Sequence, residues 1–510
     1  MSGARPPTSS AALRLIEAVA DPGTWQSWDR PVEITTEDPD YRADLERARE
    51  RTGLDESVIT GEGRIRGRRV AVVACEFGFL AGSIGIDAGE RLVRAVERAT
   101  AERLPILAAP ASGGTRMQEG TVAFVQMVKV TAAITDHKAA GLPYLVYLRH
   151  PTTGGVLASW GSLGHVTAAE PAALIGFLGP RVHEALYGEE FPPGVQTAEN
   201  LMANGLVDAV LPADQLAGIA ARALGVLSGD DAGTAPGGNG VAPSADTGAP
   251  SAGESIRRSR RGDRPGVRAL LKVAGRDVTP LSGTGAGEHD PGLLLALARI
   301  GGTSCVVLGH DRRGDAAPPL GPAGLREARR GMRIAAELDL PLLTVVDTAG
   351  AALSREAEEG GLAGEIARCL ADLVTLPAPT LCLLLGQGAG GGALALLPAD
   401  RVIATRHAWL SPLPPEGASA ILYRTTERAY EVAGRQGVRS SDLLAHGIVD
   451  RVIEETDGDG EGDAADRAGA FLTHLGDLLG AELAALRDEP PALRLATRRR
   501  RHRALGTAGR

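Results

Sequence analysis

The stretch AENLMANGLVDAV, residues 198–210, returns 242 positions later as SSDLLAHGIVDRV, residues 440–452. Both copies place leucine or methionine before a glycine, and both then continue through an apolar residue to Val-Asp. A self-similar pattern at a fixed offset is the signature of an internal repeat. The pattern therefore predicts that the chain contains two copies of one fold.

Paired small residues occur in the same order upstream of both copies. Gly113-Gly114 follows the apolar run 104–111, and Ala349-Gly350 follows the run 340–347. Further on, Gly154-Gly155 is matched with Gly391-Gly392. From Gly114 to Gly155 is 41 residues, and from Gly350 to Gly392 is 42. Three matches in one order indicate a tandem duplication.

Both halves alternate short apolar runs with helical patterns. Runs that predict strands are 70–75, 106–109 and 144–148 in the first half, and 305–308, 342–346 and 381–385 in the second. Helical patterns fill the intervals at 89–102, 118–140, 325–338 and 361–373. Such alternation predicts an α/β fold with a buried sheet in each half.

A segment rich in Gly, Ala, Ser, Asp and Pro, residues 228–264, separates the halves and ends in arginines. It has little to bury and is predicted to be a flexible linker. The predicted segments are an N-terminal extension 1–39, a first domain 40–227, the linker 228–264, a second domain 265–485 and a basic tail 486–510. The arginine run 498–501 in the tail predicts a solvated helix end, with a site for an anionic partner as the alternative.

Composition excludes several classes of protein. A net charge of -9 with 3% aromatic residues argues against a nucleic-acid surface. The chain has no GxxxxGK loop and no Met-Lys-Met site for biotin attachment, and its four cysteines contain no CxxC pair for zinc. No signal peptide is visible, and the longest uncharged stretch is broken by prolines and glycines, so a cytoplasmic protein without a membrane span is expected.

The small-residue turns are the candidate catalytic elements. A helix that starts after such a turn offers N–H groups without internal partners, and these can hold an anion or a developing oxyanion. Close packing of strand and helix is the alternative reason for the glycines.

The segment 386–391 also matches GxGxxG, but Asp400 follows too early for a dinucleotide site. His165, His310 and His446 are expected to be structural or surface residues, and no spacing predicts a metal site. Catalysis is expected to rest on backbone donors and a substrate that carries its own base.

Longer motifs resemble a known enzyme family. In the first half these are CEFGFLAGSIG at 75–85, ASGGTRMQE at 111–119, PTTGGV at 151–156 and AEPAALIGF at 169–177. They resemble the β subunit of the bacterial acetyl-coenzyme A carboxylase carboxyltransferase. In the second half DTAGA at 347–351, GAGGGALA at 388–395 and PEGASAIL at 415–422 resemble its α subunit. The resemblance covers roughly 40–215 and 265–455, as in a natural β–α fusion.

The resemblance implies two tandem crotonase-like domains, each a spiral of ββα units, and it implies a reaction. Carboxybiotin on a carrier protein releases CO₂, the biotin nitrogen takes a proton from the acyl-CoA methyl group, and the thioester enolate attacks CO₂ to give malonyl-CoA for fatty acid biosynthesis. Gly154 and Gly155 would serve one oxyanion hole, and Gly391 and Gly392 the other. Substrate-binding walls would be formed by Gly113, Gly114, Ala349 and Gly350.

The resemblance also implies partners. These are acetyl-CoA or another short acyl-CoA, a biotin carboxyl carrier protein, a biotin carboxylase, and a second copy of the chain in a homodimer whose active site spans the interface. The four-cysteine zinc ribbon of the family is missing, so no zinc is expected. The usual DTPGAY reads DTAGAA at 347–352, and the segment 310–324 is short and proline-rich. Propionyl-CoA is therefore an alternative substrate. A malonate decarboxylase carboxyltransferase and a non-catalytic scaffold of a carboxylase complex are the competing functions.

Overall fold

The computed structural model describes residues 10–177, 179–229, 250–312, 319–455 and 464–505. The chain divides after Ser228 into two compact units, Met1–Ser228 and Gly229–Arg510. Parts of the predicted extension, linker and tail lie outside the described residues, namely 1–9, 230–249 and 506–510.

The first unit is built on one sheet of seven strands. Its strands β1 to β9 are Gln26–Ser27, Val58–Ile65, Arg68–Cys75, Ile106–Ala109, Tyr144–Leu148, Thr152–Thr153, Val166–Ala169, Ile175–Gly176 and Ala209–Val210. Its helices α1 to α8 are Ala11–Val19, Pro39–Thr52, Ile86–Ala101, Gly120–Ala139, Gly154–Leu157, Pro180–Tyr187, Ala198–Ala203 and Ala213–Leu227. The sheet has the order β1-β2-β3-β4-β5-β7-β9, and β6 pairs with β8 in a separate two-stranded sheet. Pairing is antiparallel through β3 and parallel from β3 onward.

The second unit repeats this plan. Its strands β10 to β17 are Gly275–Leu281, Leu293–Ile300, Thr303–His310, Leu342–Thr348, Thr380–Ala389, Arg401–Thr405, Trp409–Ser411 and Arg451–Ile453. Its helices α9 to α19 are Ala252–Ser259, Val267–Ala274, Pro322–Glu337, Arg355–Glu359, Leu362–Thr375, Gly390–Leu394, Pro415–Tyr423, Ala429–Gln436, Ser440–Ala445, Ala468–Asp488 and Pro491–Ala504. The strand order is β10-β11-β12-β13-β14-β15-β17, with β16 beside β14. Pairing again changes from antiparallel to parallel at its third strand.

Burial explains why the central strands read as continuous apolar runs. Every residue of β12, β13 and β14 is buried. Parallel strands covered on both faces need apolar side chains at each position rather than at alternate ones. Helices such as α3 and α11 then bury one apolar stripe each against the sheet. All six sequence runs that predicted strands fall within strands of the structure.

The predicted extension contains a packed helix, and the C-terminal part of the predicted flexible linker is folded. Helix α1, inside the predicted extension, buries Leu15 and Ile16. Helix α9, inside the predicted linker, buries Ile256, and the Ser251 side chain caps its start by accepting the Glu254 N–H. Arg264 at the end of the predicted linker is fully buried and paired with Glu455. The polar composition concealed these contacts because the partners lie far away in sequence.

The basic tail also differs from the solvated helix end that was predicted. Helix α19 is packed on the second unit, and Arg494 and Arg498 are buried. Arg498 donates to both carboxylate oxygens of Asp400 at 2.8 and 2.6 Å and to the carbonyls of Leu373, Leu376 and Ala378. Part of the arginine run therefore holds the helix in place. Among the described helices, none combines the length and apolar character that crossing a membrane requires.

Candidate active site

The first predicted turn follows β4 and is held by internal hydrogen bonds. Gly113 donates its N–H to the Ala81 carbonyl at 2.8 Å, and the Gly114 carbonyl accepts the Ile84 N–H at 2.9 Å. Gly114 donates its own N–H to the Ser112 hydroxyl at 3.0 Å. With φ at 106°, Gly114 adopts a backbone conformation that favours glycine. The turn is therefore fixed, and the N–H groups of both its glycines are used inside the protein.

The second predicted turn of the first unit packs directly on the first. A Cβ on Gly114 would lie 3.3 Å from the Gly154 Cα and 3.3 Å from the Gly155 nitrogen. Gly154 has φ at 65° and donates its N–H to the Phe177 carbonyl at 2.7 Å. The N–H of Gly155, in the first turn of α5, has no acceptor among the residues that the structure describes. Gly155 is partly exposed, so its N–H is the donor available to a ligand.

The second unit has the same pair of turns. Gly350, after β13, has φ at 134° and donates its N–H to the Thr348 hydroxyl at 3.1 Å. Ala349, which lies between Thr348 and Gly350, is exposed. Gly390 begins helix α14 with φ at 63°. Each half thus has a hydroxyl two residues before the turn glycine and a positive-φ glycine at the helix start.

The sheet register aligns the glycines of the two halves. Thr153 ends β6 and pairs with β8, whereas Ala389 ends β14 and pairs in the same parallel manner with β16. The next residue is in each case the positive-φ glycine, Gly154 or Gly390. These two glycines are therefore structurally equivalent.

It follows that Gly391, not Gly392, corresponds to Gly155. From Gly350 to Gly391 is 41 residues, as from Gly114 to Gly155. The sequence pairing of Gly155 with Gly392 is off by one residue, because a run of three glycines can be aligned in more than one way.

Gly391 and Gly392 also differ in burial. Gly391 is partly exposed and Gly392 is buried. A Cβ on Gly392 would lie 3.2 Å from the Ala351 nitrogen and 3.5 Å from the Gly350 carbonyl carbon. No acceptor for either N–H occurs among the described residues. Gly391 is therefore the more accessible of the two donors, and Gly392 packs against the turn that contains Gly350.

A buried arginine holds the loop that contains the first turn. Arg116 is 1% exposed and forms an ion pair with Glu56, with an Nη1–Oε2 distance of 2.7 Å. It also donates to the Ser83 carbonyl at 2.8 Å and contacts the Tyr41 hydroxyl. Glu119 at the end of the same loop accepts from Tyr41. The loop that contains Gly113 and Gly114 is thus tied to three other segments.

In the second unit a buried aspartate, three residues before the turn glycine Gly350, links the two turns. The Oδ1 atom of Asp347 accepts the Gln387 N–H at 3.0 Å, and a Cβ on Gly386 would lie 2.5 Å from that oxygen. Burial raises the pKa of Asp347, and the Arg312 guanidinium at 3.7 Å opposes the rise. Asp347 therefore joins β13, which leads to Gly350, to β14, which leads to Gly391.

Sequence reasoning missed these supporting side chains. The hydroxyls of Ser112 and Thr348 carry a readable signal, since each stands two residues before a turn glycine. Arg116 and Asp347 lie within the quoted motifs, but their partners are distant in sequence. Of the histidines, His165 and His310 are buried and His446 is exposed.

The geometry suits stabilisation of negative charge. In each unit a short helix presents a free N–H beside a rigid glycine turn, and the helix dipole favours an anion there. No group of three or more His, Cys, Asp or Glu residues that could hold a metal occurs in the described part of the chain. The GxGxxG match does not open a helix at its first glycine, because Gly386 to Gly388 lie inside β14.

Comparison with known proteins agrees with this geometry. Residues 12–456 match the family model described as the carboxyl transferase domain. The chain is 59% identical over 495 residues to the "Probable biotin-dependent acyl-coenzyme A carboxylase beta3 subunit" of Mycobacterium tuberculosis (strain ATCC 25618 / H37Rv), covering 97% of this chain and 98% of that protein. It is 38% identical to the "Acetyl-coenzyme A carboxylase carboxyl transferase subunits beta/alpha" of Parafrankia sp. (strain EAN1pec), covering 97% of this chain and 86% of that protein.

Among solved structures the chain is similar to transcarboxylase 12S, with a TM-score of 0.73 and 21% identity over 95% of this chain and 91% of that one. It is also similar to a single-chain, multi-domain long-chain acyl-CoA carboxylase, with a TM-score of 0.68 and 18% identity over 91% of this chain and 45% of that one. These similarities confirm the predicted fold of two crotonase-like α/β domains.

Proposed function

Because this chain belongs to the carboxyl transferase family and is a biotin-dependent acyl-CoA carboxyltransferase, we propose that it transfers the carboxyl group of carboxybiotin to acetyl-CoA and forms malonyl-CoA. Support for acetyl-CoA comes from the motifs of both halves and from the name of the Parafrankia relative. The M. tuberculosis relative is named more broadly for acyl-coenzyme A. Propionyl-CoA is therefore the alternative acceptor.

Two partly exposed backbone N–H groups carry the proposal, those of Gly155 and Gly391. Each lies in the first turn of a short helix, and neither has an acceptor among the described residues. Carboxyl transfer between biotin and a thioester develops negative charge on two oxygens, the ureido oxygen and the thioester oxygen. Two equivalent donor sites in one chain match that requirement.

In this mechanism the chain supplies electrostatic stabilisation rather than a side-chain base. Bound carboxybiotin supplies the CO₂ unit and the nitrogen that accepts the methyl proton. The Gly155 and Gly391 N–H groups each donate to an oxygen on which charge accumulates, and a preorganised donor of this kind contributes about 10²–10³ in rate. The turns at Gly114 and Gly350 keep those oxygens close to the helix starts, since no side chain intervenes.

The reverse half-reaction tests the proposal directly. Purified chain is incubated with malonyl-CoA and free biotin, and release of acetyl-CoA is followed. Biotin-dependent release is expected. Methylmalonyl-CoA in a parallel assay reports on propionyl transfer, and a malonyl thioester on an acyl carrier reports on malonate decarboxylase chemistry. Absence of biotin-dependent release from every donor would favour a non-catalytic scaffold.

The proposal includes a carrier and a biotin carboxylase that act in trans, in the cytoplasm, where acyl-CoA is made and used. Since the chain has no Walker A loop and no Met-Lys-Met site, it alone should not make malonyl-CoA from acetyl-CoA, ATP and bicarbonate. Product formed by the lone chain would contradict this. Addition of a biotin carboxylase and a biotinylated carrier should restore synthesis.

Exposed apolar residues support a homodimer as part of the same proposal. Helix α4, which follows the first turn, exposes Phe124 and Val128 at 63% and 71%. Helix α15 in the second unit exposes Ile421 and Leu422 at 72% and 59%. Apolar patches of this kind mark interaction sites. We assign both faces to contacts with a second copy, with the first unit of one protomer against the second unit of its partner.

Sedimentation and activity together test the dimer. Val128→Glu places a charge in the α4 face and should lower both the mass in solution and kcat. Val273→Glu, at a position on α10 that is 45% exposed, is the control for adding a charge to an exposed helical valine and should change neither. A Val128→Glu variant that is monomeric but fully active would show that the site is complete in one chain.

A further inference from the structure

His310 lies beneath the turns of the second unit. It is the last residue of β12 and is 3% exposed. Its Nδ1 atom is 3.4 Å from the backbone nitrogen of Asp347, and Asp347 leads into the turn that contains Gly350. The ring therefore contacts the strand that positions the second glycine turn.

The hydrogen bond from Asp347 defines the state of the ring. A nitrogen that accepts an N–H cannot carry a proton, so the neutral imidazole bears its hydrogen on Nε2. Burial lowers the pKa of His310 to about 4, although the backbone carbonyls of Val345 and Gly392 favour the charged form. At neutral pH the ring is therefore uncharged and has one N–H donor.

That donor is buried without a partner. The Nε2 atom has no hydrogen-bond partner among the described residues, and the Gly392 carbonyl lies close enough to act on the ring. Leaving a buried polar group unpaired is unfavourable, so such a group is retained where it has a role. Catalytic hydrogen bonds are often long in free enzymes and shorten when substrate binds.

We propose that His310 is a positioning residue for the second oxyanion site. Its Nδ1 accepts the N–H of Asp347, and its Nε2–H, which has no hydrogen-bond partner among the described residues of the free chain, pairs with the Gly392 carbonyl when substrate binds. It thereby keeps helix α14 and the Gly350 turn at a fixed separation, so that the Gly391 N–H points at the substrate oxygen. This inference rests on the proposed carboxyltransferase function and adds a residue to it that does not touch substrate.

Two substitutions separate the roles of the ring nitrogens. The amide oxygen of His310→Asn can replace Nδ1 as an acceptor, but this variant has no donor at the Nε2 position. The amide nitrogen of His310→Gln can replace the Nε2 donor. His165→Asn is the matched control, because His165 is a buried histidine of the first unit whose Nδ1 accepts the Tyr144 N–H at 3.0 Å.

The readouts are kcat and KM in the malonyl-CoA and biotin assay, together with the thermal midpoint. A misplacement of about 1 Å costs roughly 10²-fold in rate. The kcat of His310→Asn should therefore fall by about 100-fold, while its KM changes by less than about threefold. The kcat of His310→Gln should be at least about tenfold higher than that of His310→Asn. The thermal midpoints of these two variants should agree within a few degrees, and His165→Asn should lose activity only in proportion to unfolded protein.

Other results overturn the inference. If His310→Asn keeps kcat within about threefold of the wild type, the Nε2 donor has no positioning role. If Asn and Gln variants lose activity equally and in step with thermal midpoint, or if neither folds, His310 is a packing residue only. An inactive wild-type chain would instead refute the proposed function, which the wild-type assay reports separately.

Discussion

Valine at the two partly exposed glycines, Gly155 and Gly391, should stop turnover while leaving the fold intact. In Gly155→Val or Gly391→Val the new side chain would occupy the space that a ligand oxygen needs to reach the N–H. Neither glycine has a positive φ, so the substitution introduces no backbone strain. Losing one oxyanion donor costs about 10²–10³ in kcat, or roughly 3–4 kcal/mol, and the loss should be at least this large.

The structural cost is smaller, because the atoms that the new Cβ would meet belong to side chains and not to the backbone. A Cβ at Gly391 would lie 2.7 Å from the Ile366 Cδ1, and one at Gly155 would lie 3.2 Å from the Met127 Cγ. Overpacking of this kind costs about 1–3 kcal/mol. For domains of this size each 1 kcal/mol lowers the thermal midpoint by about 2–4 °C. Both variants should therefore remain folded at assay temperature.

Gly392→Val provides the contrast that the register predicts. Its Cβ would lie 3.2 Å from the backbone nitrogen of Ala351, which cannot move aside as a side chain can. This variant should show the larger fall in thermal midpoint. Gly434→Val, in α16 with nothing within 4 Å of the added Cβ, is the matched control for a helical glycine and should leave kcat and midpoint close to wild type.

The assay is release of acetyl-CoA from malonyl-CoA in the presence of free biotin, normalised to folded protein, with thermal midpoints measured on the same samples. If Gly155→Val and Gly391→Val both keep kcat within about threefold of the wild type, the backbone-donor mechanism is wrong for these residues. Loss in only one variant would mean that the two oxyanions are not stabilised by equivalent sites. If Gly391→Val and Gly392→Val show the same loss of kcat and the same fall in thermal midpoint, the alignment of Gly391 with Gly155 is wrong.

Three further predictions concern stability and metal content. Arg498→Ala removes the 2.6 Å ion-pair partner of the buried Asp400 carboxylate and leaves Arg494 at 3.6 Å, so it should lower the free energy of unfolding in urea by about 3 kcal/mol. Arg500→Ala on the exposed side of α19 should change it by less than about 0.5 kcal/mol. Burial raises the pKa of Glu327 to about 7. The folded state therefore binds the Glu327 proton more tightly than the unfolded state does. This preference adds to the free energy of unfolding fully below about pH 4.3, and the added stability is lost as the pH rises toward 7. Glu327→Gln should therefore raise stability at pH 8 by up to about 3 kcal/mol and have little effect at pH 4, while Glu358→Gln at an exposed site should not change the profile. Metal analysis of the purified protein should find no stoichiometric zinc, because the sequence has no CxxC pair, and one zinc per chain would contradict this.

Local patterns predicted the strands and the turns. The apolar runs that became β3, β4, β5, β12, β13 and β14 are recognisable because a buried parallel strand needs apolar residues at every position. The turns at Gly114 and Gly350 are recognisable because a positive φ after a strand favours glycine. Their repetition at matched spacing predicted the duplication. These features depend on residues that are close together in sequence.

The fold of residues 251–264 and of the tail depended instead on partners that no local pattern reveals. Arg264 pairs with Glu455 across 191 residues, and Arg498 pairs with Asp400 across 98. Local composition therefore predicts a solvated helix end for Arg498 and a flexible linker for Arg264, whereas both arginines are buried and paired with carboxylates.

The residue types alone are enough to predict two strand–turn–helix units with glycines at their turns, since backbone freedom is a property of the residue. Which of the turn N–H groups lack an acceptor among the described residues follows from the fold. The N–H of Gly154 is consumed by the Phe177 carbonyl, and the pairing of β14 with β16 brings Gly391 rather than Gly392 to the place of Gly155. Whether a donor is available depends on which acceptor lies opposite it, and that acceptor comes from another strand.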